Sequence, residues 1–266
     1  MGAKIRIGAL ISGGGTNLQA IIDACEAGRI AGQMVFVGSD KPGVRGLERA
    51  RNHNIPSFVV DYAEIIGQYR KTPEKINPPA DFDLDEMWLK QGLISRDMDS
   101  RKAEMFLTTR AVAESQLLEK MQAFPVDLLV LAGFMRNLTP YFIDRFNTDP
   151  DNPRIMNIHP ALLPSFPGVD GYGDTFRHGC KVGGCTVHFI DYGEDSGPII
   201  GQRCFAITPQ DTLDSIKKKG LEEEWILYPA CIQLFAEKRL RVVKMTHTLD
   251  HGQIMQRRVV QIIQTA

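Results

Sequence analysis

The stretch IRIGALISGGGTNLQAIIDAC (residues 5–25) decides the fold. Residues 5–11 form a near-continuous apolar run, the pattern of a parallel strand buried on both faces. The run stops at Ser12-Gly13-Gly14-Gly15-Thr16-Asn17, and Leu18, Ile21, Ile22 and Cys25 then recur at helical spacing. Strand, glycine-rich turn and helix together suit an anion: glycines let the backbone approach, and N–H groups with the helix dipole receive a phosphate. The dinucleotide pattern G-x-G-x-x-G and the P-loop lysine are both missing, since position 18 is Leu and no Gly-Lys-Ser/Thr follows. A single phosphate monoester fits such a loop better. The alternative is a plain strand-to-helix turn capped by Thr16 or Asn17.

Working outward, the same alternation repeats. Residues 34–39 read as a second strand, 46–54 as a charged helix and 57–60 as a short third strand. From 61 to 97 the periodicity fails around Pro73, Pro78 and Pro79, and Asp81, Asp83, Asp85 and Glu86 cluster before Trp88. This segment is expected to be a long solvated excursion with one short helix. Residues 100–123 predict a long helix, with Glu104, Arg110, Glu114 and Glu119 towards solvent and Phe106, Leu107, Ala111, Leu117, Leu118 and Met121 for the core. Residues 127–132 (DLLVLA) are another buried strand, followed by a turn at 133–138 and a helix opened by Thr139-Pro140. Strands alternating with helices imply right-handed βαβ units, hence a doubly wound, mostly parallel α/β sheet. Ligands of such sheets bind beyond the carboxyl ends of the strands.

The stretch IMNIHPALLPSFPG (residues 155–168) carries the strongest chemical signal. A short strand ends in Asn157 and His159, after which Pro160, Pro164 and Pro167 deny helix. Side chains at i and i+2 share a face, so an amide and an imidazole point into one space. The amide can hold an oxyanion and the imidazole can move a proton near neutral pH. An Asn-x-His at a strand end serves structure as readily as chemistry, so its neighbours matter. The glycine loop, the Met135–Leu138 turn and Asn157/His159 all fall at the carboxyl edge of the sheet.

Further on, residues 185–190 and 199–206 predict an antiparallel hairpin at the sheet's edge. The acidic loop between them carries Asp195, placed to reach His159; a carboxylate there would orient the imidazole and favour its protonated form. Residues 212–236 predict a helix with a break near Gly220, and 240–243 and 254–263 predict terminal strands. His53, His178, His188, His247 and His251 lack the spacing of metal ligands, so no metal is expected; His188 reads as a hydrogen-bonded core residue.

Composition sets bounds on partners. With 266 residues, 31 Lys+Arg, 32 Asp+Glu and a formal net charge of −1, no global field draws the chain to nucleic acid or an anionic membrane. Small molecules are the expected partners. Cys25, Cys180, Cys185, Cys204 and Cys231 make an odd set without a C-x-x-C pair, which argues against a disulfide framework or zinc ribbon, although Cys180 and Cys185 stand close enough to meet across a turn. No export signal precedes the strand at Ile5, and no apolar run reaches ~18 residues, so a cytoplasmic protein is expected, a monomer or homodimer.

Taken together, ISGGGTNLQA (11–20), GLERA (46–50), VLAGFMR (130–136), NIHPALLP (157–164) and DSGPII (195–200) resemble glycinamide ribonucleotide formyltransferases. The likeness covers residues 4–61 and 105–243 and implies a Rossmann-like formyltransferase fold with an antiparallel C-terminal hairpin. It implies a single domain: 4–138 as the phosphate-binding half with an insertion at 61–97, 139–243 as the catalytic and folate-binding half, and 244–266 as an extension. The implied reaction moves the formyl group of 10-formyltetrahydrofolate to the amine of glycinamide ribonucleotide in purine synthesis. By the same resemblance Asn157, His159 and Asp195 are catalytic, Gly15, Thr16, Asn17 and Glu224 bind the ribonucleotide, and Arg110, Met135, Arg136, Asn137, Leu138 and Asn157 line the folate pocket. Asp170 and Tyr172 depart from the family, standing where some members carry histidines. A formyltetrahydrofolate hydrolase and a non-catalytic folate- or nucleotide-binding protein are the alternatives; the balanced charge disfavours a tRNA substrate.

Overall fold

The structure is a computed structural model and describes residues 4–149 and 151–264. One seven-stranded sheet organises it: β1 (Ile5–Ile11), β2 (Gly32–Ser39), β3 (Ser57–Val59), β4 (Leu128–Leu131), β5 (Ile155–His159), β6 (Val182–Phe189) and β7 (Ile199–Ala206), in the order β3-β2-β1-β4-β5-β6-β7. β3 to β5 are parallel through β2, β1 and β4, and β6 and β7 run antiparallel at one edge. The doubly wound, mostly parallel arrangement is therefore as expected. Strand order reverses between β1 and β4, which opens a crevice at their carboxyl ends.

Both faces of the sheet are covered, which is why its central strands are mostly apolar. On one side α1 (Thr16–Glu26) and α8 (Leu213–Ala236) bury Leu18, Ile21, Ile22, Tyr228 and Ile232 against Ile7, Ala9, Ile11 and Val130. On the other side α3 (Tyr62–Lys71), α5 (Ser100–Met121) and α6 (Pro140–Phe146) bury Tyr62, Leu117, Met121 and Phe142 against Leu10, Phe36, Leu129 and Leu131. Each such side chain contributes on the order of 2 kcal/mol through burial. α2 (Arg45–Asn52) and the short α7 (Gly171–Arg177), which periodicity did not announce, complete the layers with α4 (Leu84–Lys90).

The segment 61–97 is not a solvated excursion. It contains α3, a 3-10 turn at Pro73–Lys75 and α4. Asp61 accepts from the backbone N–H groups of Ala63 and Glu64, and Asp83 from that of Glu86, so two of its acidic residues are helix caps. Its prolines lie between helices. Met87 of α4 is buried with Leu107, Ala111 and Tyr141 in a third, smaller core cluster. Tyr62 of the insertion covers Arg110 and the start of α6 covers Glu114, so both are buried rather than solvated.

Two further expectations are corrected. α8 runs unbroken through Gly220 and even contains Pro229; Gly220 is there for packing, not as a break. The first terminal strand is longer than expected and the second falls where expected: β8 (Leu240–Thr248) and β9 (Ile254–Ile262) pair antiparallel as a separate two-stranded sheet. All five cysteines are free thiols. Among the described residues no helix is long and apolar enough to cross a membrane, and no group of three or more His, Cys, Asp or Glu stands where it would hold a metal ion.

Candidate active site

The glycine loop ends at Gly15, the N-cap of α1, with φ 69° and ψ 36°, a left-handed conformation that favours glycine. A Cβ there would fall 2.8 Å from the Gly46 Cα. That close approach lets the Gly46 N–H donate to the Gly13 carbonyl at 3.0 Å, while Arg49 Nε donates to the Gly14 carbonyl at 2.8 Å. No side chain caps α1, so the alternative of Thr16 or Asn17 as cap does not hold, and the first-turn N–H groups stay available to an anion. Thr16 is exposed. Asn17 is buried instead, its Nδ2 donating to Glu224 Oε2 at 2.6 Å. The Tyr172 hydroxyl donates to the other carboxylate oxygen, also at 2.6 Å. Burial raises the Glu224 pKa, opposed by the bonds from Asn17 and Tyr172.

At the end of β5, His159 is 3% exposed. Its Nδ1 lies 3.0 Å from Asp195 Oδ2 and its Nε2 2.8 Å from the Phe166 carbonyl. Both ring nitrogens thus face acceptors, an environment for imidazolium. Burial opposes the charge, but the hydrogen bond and charge of Asp195 and the Phe166 carbonyl outweigh it, and the His159 pKa is raised. Asp195 sits in the loop after β6 with φ 50° and also accepts from the Gly168 N–H at 2.8 Å. Burial would raise its pKa, yet the bond and charge of His159, with the Gly168 N–H, hold it well below the usual carboxylate range.

His188 is the residue whose role the sequence understated. It is a buried, hydrogen-bonded residue as expected, but its partner is Asn157. Its Nδ1 faces the Phe189 carbonyl at 2.9 Å, which leaves Nε2 to accept from Asn157 Nδ2 at 3.2 Å, with Asp195 Oδ1 at 3.6 Å. The direct pairing of Asn157 with His188 across β5 and β6 is the signal that could have been found.

Asn157 and Asp195 line a small cavity with Phe134, Arg136, Asn137 and Leu138; His159 does not line it and is joined to it through Asp195. Arg136 Nε donates to the buried Asp40 at 2.6 Å, and Asn137 Nδ2 donates to Glu194 Oε1 at 3.1 Å. The Met135 side chain is 61% exposed, and its N–H donates to Ser12 Oγ at 2.8 Å, tying this turn to the glycine loop. Arg110 does not reach the cavity. Its guanidinium lies 5.2 Å from the Tyr62 ring and 5.0 Å from that of Phe106, and burial lowers its pKa. Of the two departures, Asp170 pairs with Arg177 at 2.9 Å on the surface, while Tyr172 joins the Glu224 network. Asn157, His159, Asp195, the glycine loop and Glu224 therefore converge at one edge of the sheet.

A sequence model of the formyl transferase family matches residues 5–232. The chain belongs to this formyl transferase family. It is similar to the phosphoribosylglycinamide formyltransferase of Haemophilus influenzae, 33% identical over 245 residues covering 92% of this chain and 93% of the relative. The Escherichia coli protein of the same name is 32% identical over 241 residues, covering 91% of this chain and 92% of the relative. Among solved structures, glycinamide ribonucleotide transformylase 1 from Symbiobacterium toebii is 36% identical, with a TM-score of 0.71 over 99% of this chain and 96% of its own. This formyl transferase chain thus matches those relatives along nearly their whole length.

Proposed function

We propose that this formyl transferase moves the formyl group of 10-formyltetrahydrofolate to the amine of glycinamide ribonucleotide, giving formylglycinamide ribonucleotide and tetrahydrofolate in purine synthesis. The observation that carries the proposal is the His159–Asp195 pair, at 3.0 Å, set beside Asn157 at the carboxyl edge that the glycine loop shares. Amine attack on the formyl carbon gives a tetrahedral intermediate with a negatively charged oxygen. The Asn157 amide donates to that oxygen, as does the His159 imidazolium once its Nε2 exchanges the Phe166 carbonyl for it, and Asp195 keeps His159 charged and oriented and takes part in relaying the proton that the amine loses. No step in this scheme calls on a metal.

Gly15, Thr16 and Asn17 receive the ribonucleotide phosphate, and Glu224 fixes its polar groups from α8. Met135, Arg136, Asn137 and Leu138 line the folate side with Asn157, and Arg110 supports that side from behind Tyr62. The ribonucleotide site thus draws on the glycine loop at the start of the chain and on Glu224 of α8, and the folate side on the turn at 135–138 together with β5 and the loop of Asp195. Small molecules are its partners, and the cytoplasm is its place. The test is tetrahydrofolate release from 10-formyltetrahydrofolate by the purified protein, with and without glycinamide ribonucleotide. Release that requires the ribonucleotide and yields formylated product supports the transferase. Equal release without it would identify a hydrolase, and no release with folate bound would identify a binding protein.

A further inference from the structure

The cavity shared by Asn157 and Asp195 measures about 40 Å³. That holds little more than one water molecule, against the several hundred Å³ of a typical small-molecule site, roughly 300 Å³ or more. Its walls are strand ends, the turn after β4, the loop after β6 and one residue from far away in the chain, Leu93. Leu93 belongs to the inserted segment, in the turn that follows α4.

That turn is shaped from within and attached to the catalytic loop from without. Gln91 is 2% exposed; its Oε1 accepts from the N–H groups of Leu93 and Ile94 at 2.7 and 2.8 Å, and its Nε2 donates to the Ile94 carbonyl at 3.2 Å. Outwardly, the Gly92 N–H donates to the Tyr192 carbonyl at 2.7 Å, and Gly92 forms an isolated parallel bridge with Gly193. Asp195 is only two residues beyond Gly193. Lys90 and the Tyr192 hydroxyl both reach Asp144 on α6, Lys90 at 2.9 Å.

We infer that residues 91–94 are a movable wall of the co-substrate pocket: Leu93 withdraws to admit the reduced pteridine and then packs against it, and the Gly92–Tyr192 bond transmits the wall's position to the loop of Asp195. The inference rests on the formyl-transfer reading. The other walls have less freedom. The turn after β4 is pinned by the Met135 bond to Ser12 and the Arg136 bond to Asp40, and β4 and β5 lie inside the sheet. The turn at 91–94 instead hangs from α4, whose Met87 anchors in its own cluster with Leu107, Ala111 and Tyr141. A backbone bond joins it to the catalytic loop. The Gln91 and Arg96 bonds lie within α4 and the turn, so moving these as one piece strains mainly the Gly92–Tyr192 contact and uncovers the Leu93 side of the cavity. An apolar side chain at that position also suits the flat face of a fused heterocycle.

The experiment measures tetrahydrofolate affinity by calorimetry under anaerobic conditions, for the wild-type protein, Leu93→Ala and Leu93→Met. Leu93→Ala should weaken tetrahydrofolate binding about tenfold, the loss of roughly two buried methylene-sized groups. Leu93→Met should remain within about threefold of wild type, because it keeps the apolar volume. The KM for glycinamide ribonucleotide and the melting temperature should be the same in all three. Hydrogen exchange adds a readout free of substitution: tetrahydrofolate should change the protection of residues 91–98. Unchanged affinity in Leu93→Ala would overturn the inference while leaving formyl transfer intact. Equal losses in Leu93→Ala and Leu93→Met, with a fall in melting temperature, would make the turn merely structural and overturn it too. Failure of the wild-type protein to bind tetrahydrofolate would overturn the formyl-transfer reading and this inference with it.

Discussion

Tyr172 and Gly220 share one volume. A Cβ built on Gly220 would fall 2.1 Å from Tyr172 Cζ and 2.3 Å from its hydroxyl oxygen. From that seat the hydroxyl reaches Glu224, so a glycine in the middle of α8 makes room for the residue that holds a buried carboxylate. Glycine costs an exposed helix interior roughly 0.5–1 kcal/mol relative to alanine, and here that cost is offset by the packing of the ring.

The relationship predicts a reversal of sign. Gly220→Ala should destabilise the wild-type protein by about 1–3 kcal/mol, through overpacking. In a Tyr172→Ala background the same substitution should stabilise by up to about 1 kcal/mol, because only helix propensity remains. Urea unfolding of the four proteins measures both values. Equal destabilisation in the two backgrounds would show that the ring is not what requires glycine.

The paired His159 and Asp195 predict a kinetic pattern. His159→Ala and Asp195→Ala should each lower kcat by about 10²–10⁴ while moving either KM only a few-fold. The double variant should be little worse than the single ones, since the two act as a unit. Steady-state kinetics with both substrates checks this. A multiplicative loss in the double variant would assign the residues independent roles, and undiminished turnover in either single variant would refute its assignment.

Much of this was legible in sequence because it depends on short-range pattern. β4 is an uninterrupted apolar run and β1 a near-continuous one because helices cover both faces, and Asn157 and His159 share a side because strand periodicity is two. What was illegible depends on residues distant in the chain. Asp61 reads as the start of an excursion and Asp83 as part of an acidic cluster until their helix ends are placed. Arg110 and Glu114 read as solvent-facing because nothing local tells that Tyr62 of the insertion lies over the first and the start of α6 over the second. Gly220 looked like a break because its tenant, Tyr172, is far away in sequence. His188 was recognised as a satisfied core residue, while its bond to Asn157 needed the β5–β6 register.

Asn17 joins the glycine loop to α8 through Glu224 at 2.6 Å. Asn17→Ala removes that donor and leaves a buried carboxylate oxygen short of a partner, at a cost of about 1–3 kcal/mol in stability. It should raise the KM for glycinamide ribonucleotide about tenfold and leave that for 10-formyltetrahydrofolate unmoved. Equal changes in both constants would place Asn17 outside the ribonucleotide site.

Glu114 supplies a pH test of the fold. It is fully buried and accepts from the Thr139 N–H at 2.8 Å and the Thr139 hydroxyl at 2.5 Å, at the start of α6. Burial pushes its pKa up from 4.5 to about 7, against the opposing Thr139 bonds. The folded protein therefore holds this proton more tightly than the unfolded chain does. The group's contribution to stability is full below pH 4.5 and declines as pH rises towards about 7, by roughly 3 kcal/mol in total at about 1.36 kcal/mol per unit. Glu114→Gln cannot ionise, yet keeps an acceptor for the Thr139 N–H and gains a donor for its hydroxyl. Unfolding free energies measured across that interval should show the variant gaining on the wild type by about 3 kcal/mol as pH rises, with the other titrating groups cancelling in the difference. A flat difference would mean that Glu114 ionises in the folded protein as it does in the unfolded one, and that water reaches it at the start of α6.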